Sequence, residues 1–184
     1  MCDERSKLLC SGCLSNPLRF VVITIVSAMN NTKSEWESAK EINERFYRAL
    51  ENGDLEAMAA VWLHADWVKC VHPGWDLIVG WEKVRESWRQ IFGGKTGMRV
   101  AATDVQIIIE GDFALVSCYE LLAVFLDNAR APVSVRTTAT NLFQRVGDEW
   151  RMIHHHASQV PDAPPVEDEF SDLNQLDEIE WGED

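Results

Sequence analysis

Residues 46–58, FYRALENGDLEAM, determine how the first part of the chain folds. Apolar residues recur at helical spacing up to Leu50, and Gly53 then breaks the pattern at a position typical of a helix C-terminus. Asp54 follows at once and is a good N-cap for a second helix, which runs to Leu63. This stretch therefore predicts a pair of helices joined by a tight turn.

Towards the N-terminus, the first helix of this pair is predicted to begin at Ser34, because Ser34 and Glu37 have the spacing of a capping box. Residues 1–33 are assigned to an N-terminal extension outside the fold. Their apolar run, residues 20–28, is too short to span a bilayer. It has two interpretations that remain open: the apolar region of a signal peptide, or an extension upstream of a natural start at Met29.

Towards the C-terminus, the pattern changes from helix to strand. A strand over Asp66–His72 stops at a Pro-Gly turn, and a helix over Trp81–Phe92 ends at two glycines. Long β-branched and aromatic runs follow, with a hairpin signal at residues 147–148. These runs cover Met98–Ile109, Phe113–Leu126, Val133–Val146 and Glu149–Ser158. Helices followed by antiparallel strands predict an α+β domain over residues 34–160.

Charge and cysteine content exclude several classes of function. Most of the net charge of −13 lies in residues 162–184, which carry ten carboxylates and no Lys or Arg. Residues 161–184 are therefore predicted to be an acidic, disordered tail. With no basic cluster elsewhere, neither nucleic acid nor a membrane is expected as a partner. The five cysteines are scattered, which favours a reducing, cytoplasmic setting; no metal or other cofactor is predicted.

Three stretches together resemble the SnoaL-like domain of the nuclear transport factor 2 superfamily. They are residues 46–58, residues 70–76 (CVHPGWD) with residues 80–88 (GWEKVRESW), and residues 150–158 (WRMIHHHAS). The resemblance implies a cone in which a curved antiparallel sheet packs on three N-terminal helices around a pocket. It also implies a homodimer, since related families often dimerise through the sheet. It does not imply one activity, because this superfamily contains isomerases, cyclases, dehydratases and adaptor modules.

The last strand supplies the first candidates for the pocket. Side chains alternate between the two faces of a strand, so Trp150, Met152, His154 and His156 share one face, and His155 lies on the other. If the first set faces the interior, two imidazoles enter the pocket. His72, at the end of the first strand, is the third candidate. The predicted catalytic residues are therefore His72, His154 and His156, with apolar walls from Trp62, Trp75, Trp81 and Trp88.

A comparison with ketosteroid isomerases, which resemble this domain, adds two ligand-binding candidates. The general base of these enzymes corresponds to His72, whose imidazole can take a proton near neutral pH. Their oxyanion-binding Tyr and Asp correspond to Phe46 and Asn141. Because Phe46 has no donor, steroid isomerisation is not expected. Tyr47 is predicted to point about 100° away around the helix.

Two classes of function follow from these residues. The first is a small-molecule pocket that binds a ligand or acts as an isomerase, cyclase or hydratase with histidine as the proton-transfer group. The second is a non-catalytic dimerisation or adaptor module whose acidic tail binds a partner. The polar lining of the pocket favours the first.

Overall fold

The computed structural model describes residues 17–93, 97–125 and 133–161, and the chain divides into two compact units, 1–34 and 35–184. The first helix, α1, spans Pro17–Asn52, so the prediction that it begins at Ser34 is wrong. The helix begins earlier because Pro17 suits the first turn of a helix, and no glycine or further proline between Pro17 and Ser34 ends it. Among the helices described, none has both the length and the apolar character that crossing a membrane requires. Apart from Pro161, the predicted acidic tail lies outside the described residues.

The turn after α1 confirms the helix pair. Gly53 has a φ of +63°, the left-handed conformation that glycine adopts without strain. The Asp54 carboxylate accepts hydrogen bonds from the backbone N–H groups of Glu56 (3.0 Å) and Ala57 (2.9 Å), so it caps the second helix as predicted. That helix, α2, spans Leu55–Val61, and the third, α3, spans Trp81–Gly93.

Six strands form one curved, open sheet that confirms the predicted α+β class. In chain order they are β1 (Lys69–Val71), β2 (Ile78–Val79), β3 (Gly97–Glu110), β4 (Phe113–Phe125), β5 (Val133–Val146) and β6 (Glu149–Gln159). Their order across the sheet is β2-β1-β6-β5-β4-β3. The pairs from β3 to β6 are antiparallel, as predicted, whereas β1 pairs with β6 in parallel. The short β2 had no distinct sequence signal.

A bulge in β6 reverses the face that its later side chains occupy. His154 pairs with Leu142 on β5, and Met152 pairs with the next residue, Phe143, so Ile153 is an extra residue. Trp150 and Met152 are buried before the bulge, and His155 and Ala157 after it. The prediction that His154 and His156 share the inner face with Met152 is therefore wrong, because the strict alternation on which it rested stops at Ile153.

Gly80 fixes the start of α3, the helix that carries one wall of the site. It has a φ of +91°, and an added Cβ would lie 3.2 Å from the backbone oxygen of Asp66. Its N–H donates to Val68 O, and the next N–H, of Trp81, donates to Ala65 O, both at 2.9 Å. Glycine is thus required here both for its conformation and for the close approach of the backbone.

We expect Gly80→Ala to lower the free energy of unfolding by about 1–3 kcal/mol, because alanine must adopt a strained left-handed conformation. Gly93→Ala is the matched control, since Gly93 ends the same helix with nothing within 4 Å of an added Cβ. Urea unfolding monitored by circular dichroism measures both variants. Equal stability of the two would contradict the role assigned to Gly80.

Candidate functional site

A cavity of about 340 Å³ opens between the inner face of the sheet and the helices α1 and α3. Most of its wall is apolar, and the ionisable groups among its lining residues are His72, Glu120 and His155. The apolar part consists of Leu50, Pro73, Trp75, Trp88, Ile91, Met98, Leu122, Val124 and Ala157. A cavity of this size with few polar groups in an apolar wall is typical of a small-molecule site.

His72 is held between β1 and α3. Its Nε2 lies 2.8 Å from Ser87 Oγ, and the Ser87 hydroxyl donates to the backbone oxygen of Val84 at 2.8 Å. Since the Ser87 proton is used in that bond, Ser87 accepts from His72 and Nε2 carries the hydrogen. The ring edges of Trp75 and Trp88 meet His72 with centroid distances of 5.2 and 4.5 Å. In the neutral imidazole, Nδ1 is thus the nitrogen without a hydrogen, and Cys70 Sγ lies 3.8 Å from it.

Glu120 is a buried carboxyl group in β4, with only 2% of its surface exposed. The hydroxyl of Tyr47 on α1 donates to its Oε1 at 3.0 Å, and the Thr137 hydroxyl on β5 donates to its Oε2 at 2.6 Å. Burial raises the pKa of Glu120, although these two hydrogen bonds oppose the shift. The carboxyl group is therefore biased towards its neutral, proton-donating form.

His155 is held by a chain of amides that leads back to α1. The Asn141 Nδ2 donates to Asn43 Oδ1 at 2.8 Å and to Tyr47 Oη at 3.3 Å. Asn141 Oδ1 therefore remains to accept from His155 Nδ1 at 2.7 Å, which places the hydrogen of a neutral His155 on Nδ1. Burial lowers the pKa of His155 well below its usual value, and the nearby His72 lowers it further. His155 is thus a neutral acceptor at physiological pH.

Tyr47 links these groups, contrary to the prediction that it points away from the site. Its hydroxyl contacts Glu120 and Asn141, and Cys118 Sγ lies 3.1 Å from the same oxygen. Burial raises the pKa of the Tyr47 hydroxyl well above its usual value and that of the Cys118 thiol to about 11. Burial likewise raises the pKa of the Cys70 thiol, so neither thiol is suited to act as a nucleophile.

Of the three predicted catalytic residues, the structure places His72 alone at the cavity. His154 and His156 lie on the outer face of β6, with their ring centroids 6.2 Å apart. The three predicted histidines therefore do not converge on one point. Within the described ranges, no group of three or more His, Cys, Asp or Glu side chains is arranged to hold a metal ion.

Among the predicted ligand-binding residues, Trp75 and Trp88 line the cavity, and the others lie behind it. Phe46 is fully buried, with its ring centroid 5.7 Å from that of Trp88. Trp62 and Trp81 pack on each other in the core at 6.3 Å, because α2 and the start of α3 meet there. Asn141 is fully buried and acts on the cavity through His155.

Sequence reasoning missed His155, Glu120 and Tyr47. The bulge concealed the orientation of His155. A signal for Glu120 was present, because strand alternation places it on the same face as the buried Val116 and Cys118. A carboxylate on a buried strand face is uncommon and marks a polar site inside the fold.

The raised pKa of Glu120 has a consequence for stability. Above the usual carboxyl pKa of 4.5, Glu120 loses its proton in the unfolded chain but keeps it in the folded chain. The free energy of unfolding of the parent chain therefore falls as pH rises from 4.5 towards the folded-state pKa of Glu120. We expect Glu120→Gln, which mimics the neutral carboxyl group, to gain stability relative to the parent chain as pH rises from 4 to 8. Thermal unfolding at a series of pH values measures this difference. Glu110→Gln, an exposed carboxylate at the end of β3, is the control. Parallel curves for Glu120→Gln and the parent chain would contradict the prediction.

Comparison with known proteins agrees with this fold. The chain is 33% identical to a proposed dehydratase of the nuclear transport factor 2-like family from Streptomyces avermitilis, with a TM-score of 0.65 over 70% of this chain and 98% of that one. It is also 33% identical to a proposed calcium/calmodulin-dependent protein kinase type II association domain from Thiobacillus denitrificans, with a TM-score of 0.58 over 66% and 94%. A proposed scytalone dehydratase from Novosphingobium aromaticivorans has the same fold at 12% identity, with a TM-score of 0.64 over 72% and 88%.

Sequence comparison identifies the family. The chain is 29% identical over 136 residues to the F-box protein SKIP8 of Arabidopsis thaliana, and the match covers 72% of this chain and 55% of the relative. It therefore spans about half the length of that curated protein. The model of the SnoaL-like domain matches residues 39–163, which contain all of the sheet and the whole cavity. The chain belongs to the SnoaL-like domain family.

Proposed function

We propose that the cavity binds a small neutral molecule and transfers protons on it, in a reaction of the isomerase or hydratase kind. The observation that carries this proposal is the set of three ionisable groups in an otherwise apolar wall: His72, Glu120 and His155. Burial shifts the pKa of Glu120 upwards and that of His155 downwards. At the same pH, Glu120 is therefore biased towards its proton-donating form, and His155 is neutral and can accept a hydrogen bond from the ligand, which leaves His72 as the base.

The lining of the cavity also indicates the class of ligand. No Lys or Arg is present among the described residues that line it, so an anionic ligand would find no counter-ion there. Trp75 and Trp88 offer aromatic surfaces suited to a flat, largely apolar molecule. Hydroxyl or carbonyl groups of that molecule would meet the three polar side chains. A neutral hydroxy or carbonyl compound fits these conditions.

A hydratase-type reaction in the direction of water loss illustrates how the groups act. His72 takes a proton from a carbon next to a carbonyl group, while neutral Glu120 gives its proton to the leaving hydroxyl, which departs as water as the double bond forms. The hydrogen bonds from Tyr47 and Thr137 then stabilise the Glu120 carboxylate. Transfer of the proton from His72 back to Glu120, through solvent, restores the starting state. The 33% identity to a proposed dehydratase from Streptomyces avermitilis supports this class of reaction.

Substitution of adjacent histidines in β6 tests the proposal. We expect His155→Gln to weaken ligand binding about tenfold or more, because a buried hydrogen bond to the ligand is lost or misplaced. His154→Gln is the matched control, since His154 is the preceding residue in the same strand but lies on the outer face. Native mass spectrometry under mild and denaturing conditions would detect a co-purifying molecule, and a panel of neutral aromatic hydroxy ketones would be screened by thermal shift.

The outcomes separate binding from chemistry. Loss of the ligand from His155→Gln but not from His154→Gln, at equal melting temperature, supports the cavity as the binding site. His72→Gln should then retain the ligand and lose turnover. The proposal would be contradicted if His155→Gln and His154→Gln bound the ligand equally well. It would also be contradicted if no molecule co-purified from the host and no compound of the panel bound.

A second candidate function is assembly through the outer face of the sheet. Ile108, Phe113 and Leu115 lie there with 62%, 46% and 38% of their surfaces exposed, and Ile108 pairs directly with Leu115. Neighbouring exposed apolar side chains of this kind often mark a protein interface. The 33% identity to a proposed association domain favours a homodimer formed through this face.

Charge placed on this face should separate the subunits of such a dimer. We expect Ile108→Lys to raise the dissociation constant of the dimer at least tenfold, because the substitution would bury two lysines in one symmetric interface. Val105→Lys is the control, since Val105 is 40% exposed in the same strand but faces α1. Sedimentation velocity over a range of concentrations measures the effect. A parent chain that stays monomeric would refute assembly through this face.

A further inference from the structure

One half of the outer sheet face carries apolar side chains that are buried, although the helices described from Glu35 onward do not cover them. Leu121 lies between Ala101 and Arg136 in the strand register, and Ala123 lies between Arg99 and Ser134. The alternate residues of β4, Leu122 and Val124, line the cavity on the inner face. Leu121 and Ala123 therefore point to the opposite side of the sheet.

These two side chains are nonetheless covered. Leu121 is 2% exposed and Ala123 is 4% exposed, whereas Phe113 and Leu115 on the same face of the same strand are 46% and 38% exposed. From Glu35 onward, the helices contact the inner face, for example through Tyr47 and Glu120. These exposed fractions are those of the isolated chain, so the cover over Leu121 comes from another part of the same chain.

Basic side chains flank this patch, which we call the arginine patch: Leu121 and Ala123 with Arg99 and Arg136. The Arg136 guanidinium lies over the Tyr119 ring, 4.5 Å from its centroid, on the outer face. An occupant that offers both apolar side chains and carboxylates would match this combination.

The chain itself supplies such an occupant. Residues 162–184 carry ten carboxylates and no Lys or Arg, and Val166, Phe170, Leu173 and Leu176 recur among them at near-helical spacing. This stretch also starts in the right place. The N–H of Val160, just after β6, donates to the backbone oxygen of Arg136 at 3.0 Å, so the chain leaves the sheet beside the patch.

We propose that residues 162–184 dock on the arginine patch of their own chain. The apolar side chains of the segment cover Leu121 and Ala123, and its carboxylates pair with Arg99 and Arg136. The tether keeps the local concentration of the segment high, so modest contacts suffice. This docking would cover one half of the outer face and leave the half around Ile108 open. It is independent of the function proposed for the cavity.

The test uses full-length chains in which the segment is altered but not removed. One variant combines Phe170→Ser, Leu173→Ser and Leu176→Ser. Hydroxyl-radical footprinting read by mass spectrometry would report the accessibility of Leu121 and Tyr119. We expect their labelling to rise at least threefold in this variant and to stay unchanged at Phe143, which is fully buried on the inner face.

A binding experiment in trans provides the second measurement. A fluorescent peptide of residues 162–184 should bind a shortened chain that ends at Pro161, provided that the melting temperature of this chain matches that of the parent. The peptide should bind the parent chain at least tenfold more weakly, because the parent's own segment occupies the patch. Combined Arg99→Gln and Arg136→Gln should reduce binding to the shortened chain three- to tenfold and reduce its salt dependence. Arg45→Gln with Arg89→Gln, on the helices, is the control for charge.

Three results would overturn the proposal. Unchanged labelling of Leu121 in the serine variant, together with no binding of the peptide, would show that the segment does not dock. Protection of Leu121 that grows with protein concentration would identify a second copy of the chain as the occupant. Labelling that rises only when residues 1–33 are deleted would identify the N-terminal segment instead.

Discussion

The hydrogen bond from Tyr47 to Glu120 is the interaction on which the interior depends. A carboxyl group inside a protein is costly unless it is neutral or its charge is compensated. Here Tyr47 and Thr137 satisfy both oxygens of Glu120, and burial favours the protonated form. Because Tyr47 lies on α1 and Glu120 on β4, the same bond positions the helix over the sheet. A slip of either element would leave a buried polar group without its partner, which typically costs about 1–3 kcal/mol.

The network around this bond also determines the protonation states at the cavity. Asn141 uses both of its amide hydrogens on α1 and is left with an oxygen, which fixes the hydrogen of His155 on Nδ1. Ser87 similarly fixes the hydrogen of His72 on Nε2. The two imidazoles, with ring centroids 6.3 Å apart, are therefore held in opposite tautomers by residues outside the cavity. Hydrogen bonds from residues outside the cavity thus hold each imidazole in one tautomer and one orientation towards a ligand.

Local patterns in the sequence predicted much of the fold. The Gly53–Asp54 turn and the four long strands depend on neighbouring residues, and the structure confirms them. The parallel pairing of β1 with β6 joins residues far apart in the chain, and no local pattern specifies it. The orientation of Tyr47 was predicted wrongly for a related reason. A helix enclosed by a curved sheet buries more than one narrow stripe, so Phe46 and Tyr47 are both inside despite their separation of about 100° around the axis.

The three consecutive histidines of β6 show where pattern reasoning reaches its limit. In any extended strand, such a run presents an imidazole to each face whatever the register, so a histidine at the inner face could be expected from composition alone. Which one it is depends on whether the strand alternates without interruption. The extra residue at Ile153 shifts the alternation by one position, which brings His155 to the cavity and His154 and His156 to the outer face. A bulge is determined by how β6 pairs with β5 across the whole sheet, so residue identity alone does not reveal it. The chemistry of this cavity is thus decided by a backbone irregularity as much as by the side chains that line it.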